Sequence, residues 1–288
     1  MLFLPDMSEA NLTAAQPELV SLPQLLAMRR QEGHLVHFTV TPDWGQGRTT
    51  FGGLLSTLAV QAMRDVCGSD WPLRALQTNF VGPVAAGTFE VDVCLLRQGK
   101  NVRQVQARIT QNAPDGTPQV AGVMVGVFGL GRPSAIPLLM PAPPDVTTDA
   151  ERAFLWPYIP GVTPDFTRHM EVRHAQGVTP FTGATEWYSR SFARLRQHAD
   201  VDAELTTVLL ADVGPTPALA TLSKPAAASS VSWSLELRPV LGDPGDGLWR
   251  MDKTALAAAE GYVNEKTELW APDGQLAALG YQVVAVYG

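Results

Sequence analysis

One tetrapeptide occurs twice in this chain, and its two settings constrain the fold more than any other feature. Ala113-Pro114-Asp115-Gly116 returns as Ala271-Pro272-Asp273-Gly274. Each copy is preceded by a Pro-Val pair (Pro83-Val84, Pro239-Val240) and by two strand-like runs. The distance from Val to Ala is 29 residues in one case and 31 in the other. Each copy is followed by a final apolar run, ending Val127-Phe128-Gly129 and Val286-Tyr287-Gly288. Shared order, spacing and endings read as a duplicated unit. Between the copies, residues 133–164 hold eight of the 23 prolines. Proline fixes φ and lacks the N–H, so this stretch forms neither a regular helix nor a central strand. The expected organisation is an N-terminal half over 1–132, a proline-rich join over 133–164 and a C-terminal half over 165–288.

Hydrophobic periodicity fills in the elements. In the first half, strand-like runs cover Leu35–Thr41, Leu73–Val81, Phe89–Arg97, Val102–Gln111 and Gln119–Phe128. Turn residues at Gly99-Lys100 and Asp115-Gly116 join the last three into an antiparallel meander. One helix is expected over Gly53–Val66, where Leu54, Leu55, Leu58, Ala59, Ala62, Met63 and Val66 recur at three- and four-residue steps. The second half repeats the order. Runs at Met170–His174 and Thr185–Leu195 precede a short helix near Glu204–Asp212, and strands follow at Ser229–Leu237, Leu248–Ala257, Tyr262–Trp270 and Leu276–Val286. A helix as apolar as the first must be covered on most of its surface, and a long antiparallel sheet wrapped around it supplies the cover. The fold class is α+β: two hotdog units in tandem, a double hotdog with the two sheets joined.

Composition excludes several functions. Lys plus Arg total 21 against 28 Asp plus Glu, a net charge of −7, which disfavours nucleic acid as a partner. The apolar run Val120–Leu130 is short and broken by glycines, a buried strand rather than a membrane span. The opening Met1-Leu2-Phe3-Leu4-Pro5-Asp6 lacks the basic start and cleavage site of a signal peptide. Cys67 and Cys94 show no metal or redox spacing, which fits a reducing, cytoplasmic location. The five histidines form no ligand set; His34 and His37, three apart in a strand, point to opposite faces. No GxSxG, GxGxxG or Walker A pattern is present, and neither a metal nor a cofactor is expected. The second-half aromatics Trp187, Tyr188, Trp233, Trp249 and Trp270 read as core filling ahead of ligand stacking.

Several segments carry a family resemblance. Thr50-Phe51-Gly52-Gly53-Leu54 resembles the Phe-Gly-Gly helix entry of the acyl-CoA thioesterase II family and its wider double-hotdog group. Asn79-Phe80-Val81-Gly82-Pro83 resembles that family's strand ending in Phe-x-x-Pro, and Leu96-Arg97-Gln98-Gly99-Lys100-Asn101 its Leu-Arg-Asp-Gly-x-Ser turn. The resemblance implies an acyl-CoA hydrolase acting on a fatty or short acyl thioester, with a site of Asp, Thr or Ser, and Gln in the C-terminal half. The matching residues are Asp212 at the end of the second helix, Ser229 ten positions before Pro239, and Gln282 in the last strand. Strand alternation places Ser229 on the face of Val231, Trp233 and Leu235; a bulge would bring Ser230 there instead. Phe51, Gly52 and Gly53 are the corresponding substrate-binding candidates, the glycines letting a ligand approach a helix N-terminus.

The residue types suit thioester hydrolysis. A carboxylate can take the proton of an attacking water, and a hydroxyl and a carboxamide can hold that water or the carbonyl without changing charge. Counting along the repeat puts Leu73 opposite Ser229 and Met124 opposite Gln282, so one half is equipped and the other apolar. Two other functions stay open: a non-catalytic protein that binds acyl-CoA or an acyl chain, and a hydratase acting on an enoyl thioester. Asp212 could also simply end a helix. The thiol carrier could be CoA or a carrier-protein arm. Further association of the chain into a homo-oligomer is compatible with all three.

Overall fold

The computed structural model describes residues 19–68, 70–144, 149–240 and 244–288; the N-terminal apolar segment lies outside the described residues. The first half runs α1 (Leu22–Met28), β1 (Arg30–Glu32), β2 (Leu35–Val40), β3 (Gly45–Gln46), β4 (Thr49–Thr50), α2 (Gly52–Cys67), β5 (Leu73–Phe80), β6 (Gly87–Gln98), β7 (Val102–Asn112) and β8 (Pro118–Gly129). After the join come β9 (Phe154–Leu155), β10 (Met170–Gly177), β11 (Tyr188–Leu195), α3 (Ala203–Leu210), α4 (Ala218–Thr221), β12 (Ala227–Leu237), β13 (Trp249–Ala259), β14 (Tyr262–Trp270) and β15 (Leu276–Tyr287).

Thirteen strands form one antiparallel sheet in the order β1-β2-β6-β7-β8-β5-β12-β15-β14-β13-β11-β10-β9. Read outward from the β5–β12 seam, β8-β7-β6-β2 on one side matches β15-β14-β13-β11 on the other. At the seam Thr78 pairs with Trp233; Thr78 then pairs with Met124 on β8, and Trp233 with Gln282 on β15. The duplication is therefore present in the register itself, and the two sheets are continuous. The join contributes a 3₁₀ turn at Ala150–Arg152 and the two-residue edge strand β9, with the regular central strands elsewhere.

The core lies between this sheet and the helices. In α2 every residue from Gly53 to Val60 is buried, as the apolar repeat requires, and the buried Thr57 returns its hydroxyl to the Gly53 carbonyl at 2.8 Å. The helix of the second half is shorter than its sequence pattern: α3 stops at Leu210, and Ala211 and Asp212 form the turn that follows. Asp202 caps α3 by accepting from the Leu205 N–H at 2.8 Å. Arg64 of α2 reaches across to Asp202 (2.5 Å) and Glu204 (2.6 Å), and Glu204 also accepts the Leu73 N–H at 2.7 Å. A second tie is the buried Asp43–His169 contact at 2.8 Å, with Trp44 stacked on the imidazole at 3.9 Å between centroids. The first tie holds the start of α3 to the last turn of α2, and the far end of α3 comes up against the first residues of α2, the Leu209 carbonyl facing Gly53.

Candidate active site

Asp212 sits where the turn after α3 meets the first residues of α2. Its Oδ1 accepts from Gln282 Nε2 at 2.7 Å, and the Gly53 backbone N–H is near enough to lower its proton affinity. Phe51, the N-cap of α2, offers no side-chain cap, and a carboxylate from the other half faces the helix's free N–H groups. The approach is tight. A Cβ on Gly52 would stand 2.9 Å from Asp212 Oδ2 and 3.1 Å from the Phe80 ring. On Gly53 it would stand 2.8 Å from the Leu209 carbonyl and closer still to the Phe51 ring. These glycines make room for Asp212 and α3. Phe51 itself is fully enclosed and stacked on Phe166 at 3.9 Å, which makes it a core residue.

Gln282 is buried on β15, between β12 and β14, and its Nε2 also donates to Ser230 Oγ at 3.3 Å. The serine that reaches Gln282 is thus Ser230 and not Ser229. The register of β12 against β15 slips between Ser230 and Ser232, leaving Val231 as a bulge. Below the bulge the odd-numbered Trp233, Leu235 and Leu237 are buried; above it Val231 and Ser229 turn outward. Ser229 is exposed, and its hydroxyl points to the Ser230 carbonyl at 3.5 Å.

Two further charged residues belong to this neighbourhood. Lys253 on β13 and Glu265 on β14 are 3% and 2% exposed and lie 3.3 Å apart. Lys253 Nζ donates to the Gly214 carbonyl at 2.8 Å, two residues beyond Asp212. Glu265 is the cross-strand partner of Gln282. Burial pushes the Asp212 carboxyl above its ordinary value and Glu265 adds to this. The Lys253 ammonium, the Gln282 hydrogen bond and the Gly53 N–H pull the other way without cancelling it. A half-buried carboxylate held by a carboxamide beside a helix N-terminus, with raised proton affinity, is equipped to accept a proton.

A groove of about 350 Å³ runs along the central strands, lined by Gln282 and Glu265 of the site together with Gln77, Asn79, Ser232 and Tyr281. Among the described residues no helix is long and apolar enough to cross a membrane.

Known proteins resemble this chain in sequence profile and in fold. The sequence profile of the acyl-CoA thioesterase N-terminal domain matches residues 40–129, and that of the acyl-CoA thioesterase C-terminal domain matches residues 141–286. No curated protein matches the chain. Among solved structures, a conserved hotdog-fold protein of unknown function from Alicyclobacillus acidocaldarius superimposes with a TM-score of 0.76 at 18% identity, over 92% of this chain and 97% of that one. A putative thioesterase II from Thermobifida fusca gives 0.73 at 18% identity, over 90% and 94%. The tesB protein of Mycobacterium avium subs paratuberculosis gives 0.73 at 16% identity, over 93% and 100%. At these identities the structures speak for the double-hotdog fold, and the two matched domains, which together span most of the chain, place it in the acyl-CoA thioesterase family, a family of thioester hydrolases.

Proposed function

We propose that this chain hydrolyses an acyl-CoA thioester at Asp212, with Asp212 as general base for the attacking water and with Ser230 and Gln282 holding that water and the thioester carbonyl. The observation that carries this reading is the hydrogen-bonded set Asp212–Gln282–Ser230, built by three elements of the C-terminal half against the N-terminus of α2. Water adds to the carbonyl carbon as its proton passes to Asp212, and collapse of the tetrahedral intermediate expels the CoA thiolate, which takes a proton back. Charge that develops on the carbonyl oxygen is favoured by donors and by the positive end of α2. Ser230 and Gln282 stay uncharged throughout. Ser230 supplies the hydroxyl for which Ser229 is the sequence candidate.

A panel of acyl-CoA esters of increasing chain length, with thiol release followed continuously, tests the reading and defines the preferred acyl group. Hydrolysis lost in Asp212→Asn and kept in Ser229→Ala supports it. A wild type that binds acyl-CoA and releases no thiol would replace it with the binding-protein reading, and hydration of crotonyl-CoA with the hydratase.

A further inference from the structure

We propose that Lys253 and Glu265 are a positioning pair of this same site: Lys253 fixes the turn that carries Asp212, and the two opposite charges set the electrostatic balance in which Asp212 works. The inference rests on the reading of Asp212 as the base. Its support comes from comparing the two halves at equivalent positions of the sheet. In the C-terminal half Lys253 pairs with Thr267, Thr267 with Gly280, and Glu265 with Gln282. In the N-terminal half Val91 pairs with Ile109, Ile109 with Gly122, and Ala107 with Met124. The register therefore sets Lys253, Thr267, Glu265 and Gln282 against Val91, Ile109, Ala107 and Met124. All eight are buried, the apolar four completely.

The fold accepts an apolar set at these positions, so packing does not require the polar one. Burying an ion pair is costly, and the cost is recovered only when every lone pair finds a donor. Here it is not: Glu265 Oε2 is enclosed without a hydrogen-bond partner among the described residues. What the pair does touch is the site. Lys253 Nζ holds the Gly214 carbonyl and so the Ala211–Gly214 turn, and Glu265 stands directly across from Gln282. The groups that face Asp212 are the Gly53 N–H from α2, Lys253 from β13, Glu265 from β14 and Gln282 from β15; Ser230 from β12 joins through Gln282. Of these only Lys253 and Glu265 carry charge, and they act on Asp212 in opposite directions.

The test is Glu265→Gln, which keeps shape and an acceptor for Lys253 while removing one negative charge. Two readouts are taken: the acidic limb of the kcat/KM profile for acyl-CoA hydrolysis, and the ¹³C carboxyl titration of Asp212, identified by its loss in Asp212→Asn. Both midpoints should fall by about one pH unit, the scale expected for a charge within a few ångströms. The double variant Lys253→Met/Glu265→Gln should bring them back toward wild type. A folded Glu265→Gln protein with both midpoints unmoved overturns the inference. If the wild type shows no hydrolysis, the base reading fails separately, and the carboxyl titration still decides whether the pair controls Asp212.

Discussion

Asp212→Asn separates the catalytic from the structural role of this carboxylate, because the two roles predict different magnitudes. General base catalysis contributes roughly 10²–10⁴-fold, about 2.7–5.4 kcal/mol of barrier at 1.36 kcal/mol per tenfold. The structural role is smaller. Asp212 accepts one hydrogen bond, from Gln282 at 2.7 Å, and faces the Gly53 N–H. An asparagine keeps one acceptor, which can face Gly53, while its NH₂ meets the carbonyl of a flipped Gln282 amide. The net change is about one ordinary hydrogen bond, ~1 kcal/mol. Removing a buried charge works in the opposite direction. Because burial raises the folded carboxyl's proton affinity, its contribution to stability is present at acid pH and is lost as pH rises through the folded value. At neutral pH the variant should therefore melt within about 2–4 °C of wild type. Thiol release with a good acyl-CoA substrate, beside a thermal melt, reads both numbers. Undiminished hydrolysis in a folded variant refutes the base assignment, whatever the melt shows.

Further expectations follow from the same geometry. Ser230→Ala should slow hydrolysis by about tenfold or more while Ser229→Ala leaves it near wild type, since only Ser230 reaches Gln282; equal rates in the two variants would return the hydroxyl role to neither. Gly52→Ala should displace the carboxylate, its new methyl standing 2.9 Å from Asp212 Oδ2, and cost about 1–3 kcal/mol by overpacking together with most of the activity. A crystal structure with Asp212 unmoved would contradict this. In the wild type the raised proton affinity of Asp212 should place the acid fall-off of kcat/KM above the ordinary carboxylate range, and a fall-off within that range would argue against Asp212 as the titrating base.

How much of this was legible in the sequence can be seen element by element. The meander and α2 follow from periodicity, and β14 runs from Tyr262 to Trp270 in pattern and structure alike. The serine was ambiguous for a local reason: alternation assumes an unbroken strand, and the one-residue bulge at Val231 exchanges the faces of everything before it. Lys253 and Glu265 were missed for a different reason. A charge in a strand reads as solvent-facing, yet on β13 all five residues from Trp249 to Lys253 are buried. Asp252 is covered by Arg250, Arg190 and Tyr188, Arg250 reaches the Pro144 carbonyl of the join, and Lys253 meets the Gly214 turn, contacts that no local pattern reports. The repeat did hold a signal. Aligning Ala271-Pro272-Asp273-Gly274 on Ala113-Pro114-Asp115-Gly116 sets Gln282 on Met124 and, by the same offset, Glu265 on Ala107.

The comparison of the halves also predicts a stability order. Removing one partner of a buried pair leaves an uncompensated charge and typically costs 3–5 kcal/mol, whereas replacing both with apolar groups of similar volume is often neutral or stabilising by 1–4 kcal/mol. Lys253→Met leaves Glu265 alone at 2% exposure, so it should lower the melting temperature markedly. Lys253→Met/Glu265→Leu brings the pair close to the composition that the N-terminal half already packs at Val91 and Ala107, both fully buried. It gives up the hydrogen bond to the Gly214 carbonyl, a neutral acceptor that the turn can expose to water at small cost. It also removes the orphaned Glu265 Oε2. The double variant should therefore melt at or above wild type while hydrolysing more slowly, and the single variant should melt below both. Denaturant or thermal unfolding of the three proteins settles the order. A double variant as unstable as the single one would mean that the pair holds the sheet to the Asp212 turn as structure, and that the apolar sister half is no guide to what these positions require.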